Sequence, residues 1–379
     1  MIALLAAALL AQAKDDYEDH LGLGAPSVRV TGSLTTELWY DDNILLSRRD
    51  EQNDFITILV PELHVHFGQD DDSYLKIDYR GRDRHYTDFS RFNGMEHYAD
   101  GTFHYATDMF RIDIWNGYQS RNDAFSVPGQ TRRLDWLQND TSATFAVDLG
   151  SFAFELSGDM RRLELFDSAF SHFDHRRWRG ALLAAYDVSE RLQAIAEYAL
   201  GVTTYDDEGL IDDFEFSTAA GGVRGALSDD LDLTLKAGFF RVVTDDGSGV
   251  VATKNDSAFY AALALVWRPS EDGTLRLEYQ HRPIESIYTG WALVQRVEAS
   301  YAHRVGARVT VSAGGWFETA KESVGGEDRS GYGANAGLEV QATRHLAFTF
   351  WGEWRTKDSD DHTFEYDNLR ALAGVTVGW

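Results

Sequence analysis

Hydrophobic residues recur at every second position in run after run along this chain of 379 residues. Runs of roughly ten residues are separated by turn residues, the repeating pattern of strands with one oily and one wet face. From Thr274 to His281, Leu275, Leu277 and Tyr279 share one face, and Arg276, Glu278 and Gln280 share the other. The same split sets Leu75, Ile77 and Tyr79 against Lys76, Asp78, Arg80 and Arg82. It also sets Leu346, Phe348, Phe350 and Trp354 against Thr349, Trp351, Glu353 and Arg355. Strands are expected to start near Ser27, Asp54, Ser73, Gly94, Met109, Thr131, Gly150, His175 and Arg191. The second half adds starts near Asp213, Leu231, Lys254, Gly273, Gly290, Ala307, Ser330, His345 and Tyr366. The pattern predicts an all-β fold: a transmembrane, antiparallel, up-and-down β-barrel of about 18 strands, within roughly 16 to 18, as an even count requires.

The connections alternate in length. Short ones fall at Gln69 to Asp72, Thr107-Asp108, Asp148 to Gly150, Val188 to Glu190, Ser228 to Asp230, Pro269 to Asp272, Arg304 to Gly306 and Thr343-Arg344. Longer ones fall at Asp41 to Asn53, Ser120 to Gln130, Asp167 to Asp174, Asp206 to Asp212, Asp245 to Ala252, Lys321 to Arg329 and Lys357 to Glu365. Short periplasmic turns and long external loops are the barrel expectation, with both chain ends on the periplasmic side. Strands running toward the short-turn side carry Phe67, Tyr186, Trp267, Tyr301 and Trp379 near their ends. Repeated at one level, these read as an interfacial aromatic girdle. Ala371, Ala373, Val375, Val377 and Trp379 alternate against Arg370, Leu372, Gly374, Thr376 and Gly378. That ending looks like the C-terminal signal read by the barrel assembly machinery, with Trp where Phe is usual.

Composition narrows the reading. Aromatics make up 13%, with 33 Gly and only 5 Pro, which favours many strands over long helices. With no Cys, disulfides, thiolate metal sites and a Cys nucleophile are excluded. A formal net charge of -26 argues against nucleic acid as a partner, because phosphate would be repelled. Residues 1–13, MIALLAAALLAQA, form a short apolar run ending in a small-x-small triplet, expected to be a signal peptide cleaved after Ala13. It lacks a basic stretch at its start. Residues 14–26 follow as a polar linker, and residues 27–379 as an outer-membrane barrel. No other stretch approaches the ~20 apolar residues a spanning helix needs.

From Tyr40 to Phe67 the chain reads YDDNILLSRRDEQNDFITILVPELHVHF. Tyr40-Asp41-Asp42-Asn43-Ile44 and then Asp54-Phe55-Ile56-Thr57 with Pro61 resemble the opening of the putative beta-barrel porin 2 family. The resemblance implies an outer-membrane barrel of Gram-negative-type bacteria, with some members tied to surface polysaccharide export. It offers no catalytic residues. Read directly, Phe55, Thr57, Leu59, Pro61, Leu63, Val65 and Phe67 take one face, and Glu62, His64 and His66 the other. Pro61 suggests a strand edge or bulge. Asp41-Asp42-Asn43 is expected to turn the chain into the first loop.

Charges on the wet face must line water or pair, since each in hydrocarbon costs roughly 2 to 4 kcal/mol at the midplane. The candidate pore-lining residues are Lys76, Asp78, Arg80, Arg82, Arg84, Arg276, Glu278, Arg282, Glu353 and Arg355. They form either a basic strip facing an acidic one or a set of mutually satisfied ion pairs. Acidic clusters at Asp70 to Asp72, Asp206 to Glu208, Asp245-Asp246 and Asp358 with Asp360-Asp361 read as solvated loop tips. None has calcium-loop spacing. His64 with His66, and His172 with His175, lack a third metal ligand. Gly331, Gly333 and Gly337 do not open a helix as a nucleotide loop would, and read as small residues that let a strand bend or pack an internal loop. No Gly-x-Ser-x-Gly elbow occurs. The expected function is therefore a non-enzymatic channel without cofactor or metal, and the resemblance implies surface polysaccharide as what it passes through the outer membrane. The alternatives are a general or nutrient-uptake porin, and a structural or adhesive barrel with a closed lumen. Expected partners are outer-membrane lipids and lipopolysaccharide, the assembly machinery and periplasmic polysaccharide export components.

Overall fold

The computed structural model describes residues 28–379 except 70–72, 124–133, 169, 207–212, 246–253, 287–289, 323–327 and 360–364. The signal and linker segments expected over residues 1–26 lie outside the described residues. The first nine strands are β1 (Val28–Asp41), β2 (Asp54–Gln69), β3 (Ser73–Tyr86), β4 (Gly94–Ala106), β5 (Phe110–Asp123), β6 (Leu134–Asp148), β7 (Phe152–Leu165), β8 (His175–Asp187) and β9 (Leu192–Tyr205). The other nine are β10 (Asp213–Ser228), β11 (Leu231–Asp245), β12 (Lys254–Ser270), β13 (Gly273–Ser286), β14 (Gly290–Val305), β15 (Val309–Glu322), β16 (Arg329–Thr343), β17 (Leu346–Ser359) and β18 (Tyr366–Gly378). Every expected start falls within three residues of an observed one, Thr131 against Leu134 being the widest gap. Each strand pairs antiparallel with the next, and β1 pairs with β18, so the sheet closes into an 18-stranded barrel. Closure removes both edges, the only way a sheet can satisfy its backbone in lipid.

The two faces separate as the alternation predicts. Leu38, Phe55, Leu75, Ile77, Leu182, Phe239 and Phe350 stand exposed on the outer face. The opposite face carries side chains that meet across intervening strands: Arg82 of β3 reaches Glu37 of β1, and Lys236 of β11 reaches Glu197 of β9. Such convergence is possible only on the concave side of a curved sheet, which identifies the charged face as the interior.

Pro61 departs from expectation. It lies within a central stretch of β2, paired with Leu34 of β1. On the β3 side pairing lapses between Leu59 and Glu62, where the missing proline N–H would have donated. Two connections at the long-loop end also escaped the turn pattern, residues 87–93 with a single 3-10 turn at Ser90–Phe92, and residues 287–289.

The long-loop half of the interior is filled by two apolar clusters. Ile44 and Leu45 of the first loop are buried with Ile56, Ile58, Val60 and Tyr86, and Trp39, Phe89 and Phe92 pack around them. The second cluster joins Trp136, Leu163, Leu165, Phe173, Tyr205, Phe214, Phe240, Val242 and Trp291. It forms because the β13–β14 hairpin leaves the wall. Pairing between β12 and β13 stops at Ala261 with His281, although β12 continues to Lys254. β14 comes within 8 Å, Cα to Cα, of β10. Along the wall those strands are four steps apart, about 19 Å at about 4.8 Å per strand, so the hairpin folds into the lumen.

Candidate functional site

The charges of the row expected on β3 are largely engaged. Arg82 stands 3.5 Å from Glu37, and Arg84 2.9 Å from Glu96, a carboxylate with no exposure to solvent. Arg80 lies over the Tyr98 ring, and Lys76 over Tyr74. Asp78 pairs with His64. Glu278 and Arg282 flank a 330 Å³ recess with Arg296, Glu298 and Glu318. There Arg296 holds Glu298 at 2.9 Å and Glu318 at 3.1 Å. Arg276 is exposed on the same face. Glu353 is opposite Arg370, and Arg355 donates to Asn368 at 3.0 Å.

The richest cluster lies on strands that the charge reading passed over. Arg161 of β7 donates to Asp140 of β6 at 2.7 Å. Arg177 and Arg179 of β8 share Asp159 of β7, at 3.2 and 3.3 Å, and Arg179 also reaches Glu197 at 3.1 Å. Arg224 of β10 reaches Glu155 of β7 at 2.7 Å, past two strands. The signal was present in the sequence as His175-Arg176-Arg177-Trp178-Arg179, where alternate positions carry guanidinium to one face. Arg161, Arg177 and Arg179, with Asp140, Asp159 and Glu197, line a cavity of about 480 Å³ that is closed on another side by Arg282 and Ile284 of the infolded hairpin.

Aromatic rings lie close against several glycines of the inner wall. Trp115 rests over Gly117, where an added Cβ would strike its ring. A Cβ at Gly201 would lie 2.5 Å from Phe216 Cζ, and one at Gly333 2.7 Å from Trp316 Nε1. Gly331 lies under the same indole. So Gly331 and Gly333, expected to bend a strand or pack a loop, instead seat Trp316 in an unbroken β16. Trp39 and Trp351 add a neighbouring pair at 5.5 Å.

The first loop is latched to the wall by the motif residues. Asn43, 1% exposed, donates to Ser47 O at 2.9 Å and to Asp367 O at 2.8 Å, and accepts from Ser47 N–H. Asn43 N–H donates to Asp41 Oδ1 at 3.1 Å, the turn expected there. Asn368 donates to that same Asp41 oxygen at 2.6 Å, and Asp42 accepts from Leu369 N–H. In the loop between β7 and β8, Asp174 accepts from Leu165 N–H at 2.7 Å, while burial pushes its carboxyl above the ordinary carboxylate range.

Among the five candidate girdle residues, Tyr186, Trp267 and Tyr301 are exposed on the outer face at the short-turn end, and Phe67 is half-buried there. Trp379 lies with its indole over Gly32. Strands that start at that end add Phe110, packed at a tilt between Tyr105 and Phe145, and Phe152 against Tyr186. Phe110 and Phe152 are the first residues of β5 and β7. His66 stacks on Tyr74, which stacks on His104, and His175 Nδ1 donates to Phe173 O at 2.9 Å. Among the described residues no three His, Asp or Glu side chains are placed to hold a metal. Residues 70–72, 207–208, 246 and 360–361 of the acidic clusters lie outside the described residues.

Similar folds occur in solved outer-membrane proteins. OccAB3 of Acinetobacter baumannii matches 93% of this chain and 99% of its own at 10% identity and a TM-score of 0.47. OpdK of Pseudomonas aeruginosa matches 93% and 99% at 11% identity and 0.49, and OprD of the same organism 92% and 95% at 12% and 0.44. No curated protein is similar in sequence. The family model described as Putative beta-barrel porin 2 matches residues 19–378. With a closed wall, an apolar exterior and a charged interior, the chain belongs to that family, and is a porin-type barrel of the Gram-negative outer membrane.

Proposed function

We propose that this barrel passes a surface polysaccharide across the outer membrane, in the outward direction, with periplasmic export components delivering it. One observation carries the reading: aromatic rings seated against glycines on the inner wall, Trp115 at Gly117, Phe216 at Gly201 and Trp316 at Gly331 and Gly333. A flat ring beside charged side chains matches a sugar, whose C–H face packs on aromatics while its hydroxyl rim exchanges hydrogen bonds with water for those with Arg, Asp and Glu. The ten residues from Lys76 to Arg355 named above, together with Arg161, Arg177 and Arg179, screen the solute. Binding is shared over many weak contacts, so cargo can both enter and leave.

A nutrient-uptake porin is the second reading, favoured by the crowding of the long-loop half by the first loop and the β13–β14 hairpin, which suits small solutes. Residues 1–13 act in this scheme as a cleaved signal peptide, and Trp379 ends the strand that the assembly machinery reads. The test is a deletion strain and purified protein together. Loss of surface polysaccharide without loss of small-sugar uptake, and blockade of bilayer current by long glycans, are expected. Normal surface polysaccharide in the deletion strain would sink the export reading.

A further inference from the structure

The cavity beside β7 and β8 sets a cluster of guanidiniums beside aromatic rings. Its lining holds four guanidiniums, Arg161, Arg177, Arg179 and Arg282, against three carboxylates, Asp140, Asp159 and Glu197. Among these side chains the charges stand at four positive to three negative. Asp159 already serves two arginines, and Glu197 serves Arg179 and Lys236 together. In a chain of net charge -26, this is a local excess of positive charge. The same cavity is floored by Trp115, 38% exposed, and by Phe216. Both rings occupy space that a Cβ at Gly117 or Gly201 would take. Its volume of about 480 Å³ falls within the range of small-ligand sites, roughly 300 to 1,000 Å³.

Resting on the glycan-passage reading above, we infer that this cavity is a binding station for a carboxylated sugar, with the ring of a uronic-acid-type unit on Trp115 or Phe216 and its carboxylate on Arg177 and Arg179. The fork of a guanidinium matches a carboxylate edge to edge, which a point charge does not. The neighbouring recess is of opposite character, with Glu278, Glu298 and Glu318 against Arg282 and Arg296, and would repel the same ligand. An acidic glycan is thereby held to the β7–β8 side of the lumen and kept off the β13–β15 side.

The experiment is current blockade in planar bilayers by three probes: oligogalacturonate, a neutral maltooligosaccharide of equal length, and acetate. The acidic oligosaccharide is expected to block at a concentration at least tenfold below either control. The double substitution Arg177→Gln with Arg179→Gln should raise that concentration at least tenfold, one charge-assisted contact being worth about a factor of ten. If that variant fails to assemble, as read by loss of heat-modifiable migration, the charge-keeping pair Arg177→Lys with Arg179→Lys and the single Trp115→Ala replace it, each expected to weaken blockade several-fold. Arg304→Gln, whose partner Asp272 lies in a turn at the opposite mouth, should leave blockade unchanged. Equal blockade by neutral and acidic oligosaccharides overturns the inference and leaves glycan passage standing. Blockade by acetate at the same carboxylate concentration overturns the sugar component. If no saccharide blocks or permeates, both the inference and the passage reading fall.

Discussion

Arg224 of β10 donates to Glu155 of β7 at 2.7 Å, spanning β8 and β9, and also holds Gln193 at 2.8 Å. A contact of that reach ties non-neighbouring strands, so it resists flattening of the wall as well as charge separation.

Arg224→Ala is expected to lower unfolding stability by about 1 kcal/mol, the upper end for partly exposed pairs. A double-mutant cycle with Glu155→Ala in detergent should return a coupling of that size. Additive losses would show that the two side chains act independently.

Asn43→Ala should remove the side-chain hydrogen bonds to Ser47 and Asp367, leaving the Asp42–Leu369 hydrogen bond and the packing of Ile44 and Leu45 to hold the first loop. Losing a buried side chain that serves three hydrogen bonds costs about 1 to 3 kcal/mol. Single-channel recordings should then show larger and noisier currents. An unchanged conductance would mean that this loop does not narrow the passage.

Asp174 gives a pH signature. Its carboxyl is pushed up by burial, with partial relief from the Leu165 N–H. A carboxyl raised above its unfolded value contributes stability when protonated, and that contribution is lost as pH rises through the folded value. Asp174→Asn keeps the acceptor without the charge. It should raise Tm at pH 7, with the difference vanishing below about pH 4, where unfolded Asp is itself protonated. A variant less stable than the parent at pH 7 would contradict this.

Gly32→Val is expected to displace the Trp379 indole, because a Cβ there would stand 2.8 Å from Trp379 Cζ2. The indole can swing away, so the folded barrel should survive, but less of it should form. The yield of heat-modifiable barrel in membrane fractions should fall several-fold. Gly150→Ala in a short turn, where the added Cβ meets nothing but φ is +81°, should act through backbone strain alone.

The barrel was legible because its signal repeats. Period-two alternation set strand starts such as Asp54, Ser73, Gly94 and His175 at their observed positions. What fills the barrel was not legible from that rule. Ile56, Ile58 and Val60 break it, since Phe55, Thr57 and Leu59 on the other face are also turned to an apolar environment. An apolar run on both faces signals a covered interior, and the covering residues are Ile44 and Leu45, inside the very motif that carries the family resemblance. The cavity residues were out of reach for another reason. Arg161, Trp115 and Arg282 are brought together by the infolded hairpin, and no local pattern reports a contact made across a lumen.

The seam between β1 and β18 is a pairing of only nine residues, Ser33 to Asp41, against fourteen between β1 and β2. Ser33 meets Gly378, at nearly the full length of the chain, so this junction cannot exist until the last strand has been made. Until then the molecule is a curled ribbon with two bare rims, each able to recruit a stranger's strand. A premature stop before Tyr366 would therefore yield a sticky, polymerising fragment in place of a narrower pore.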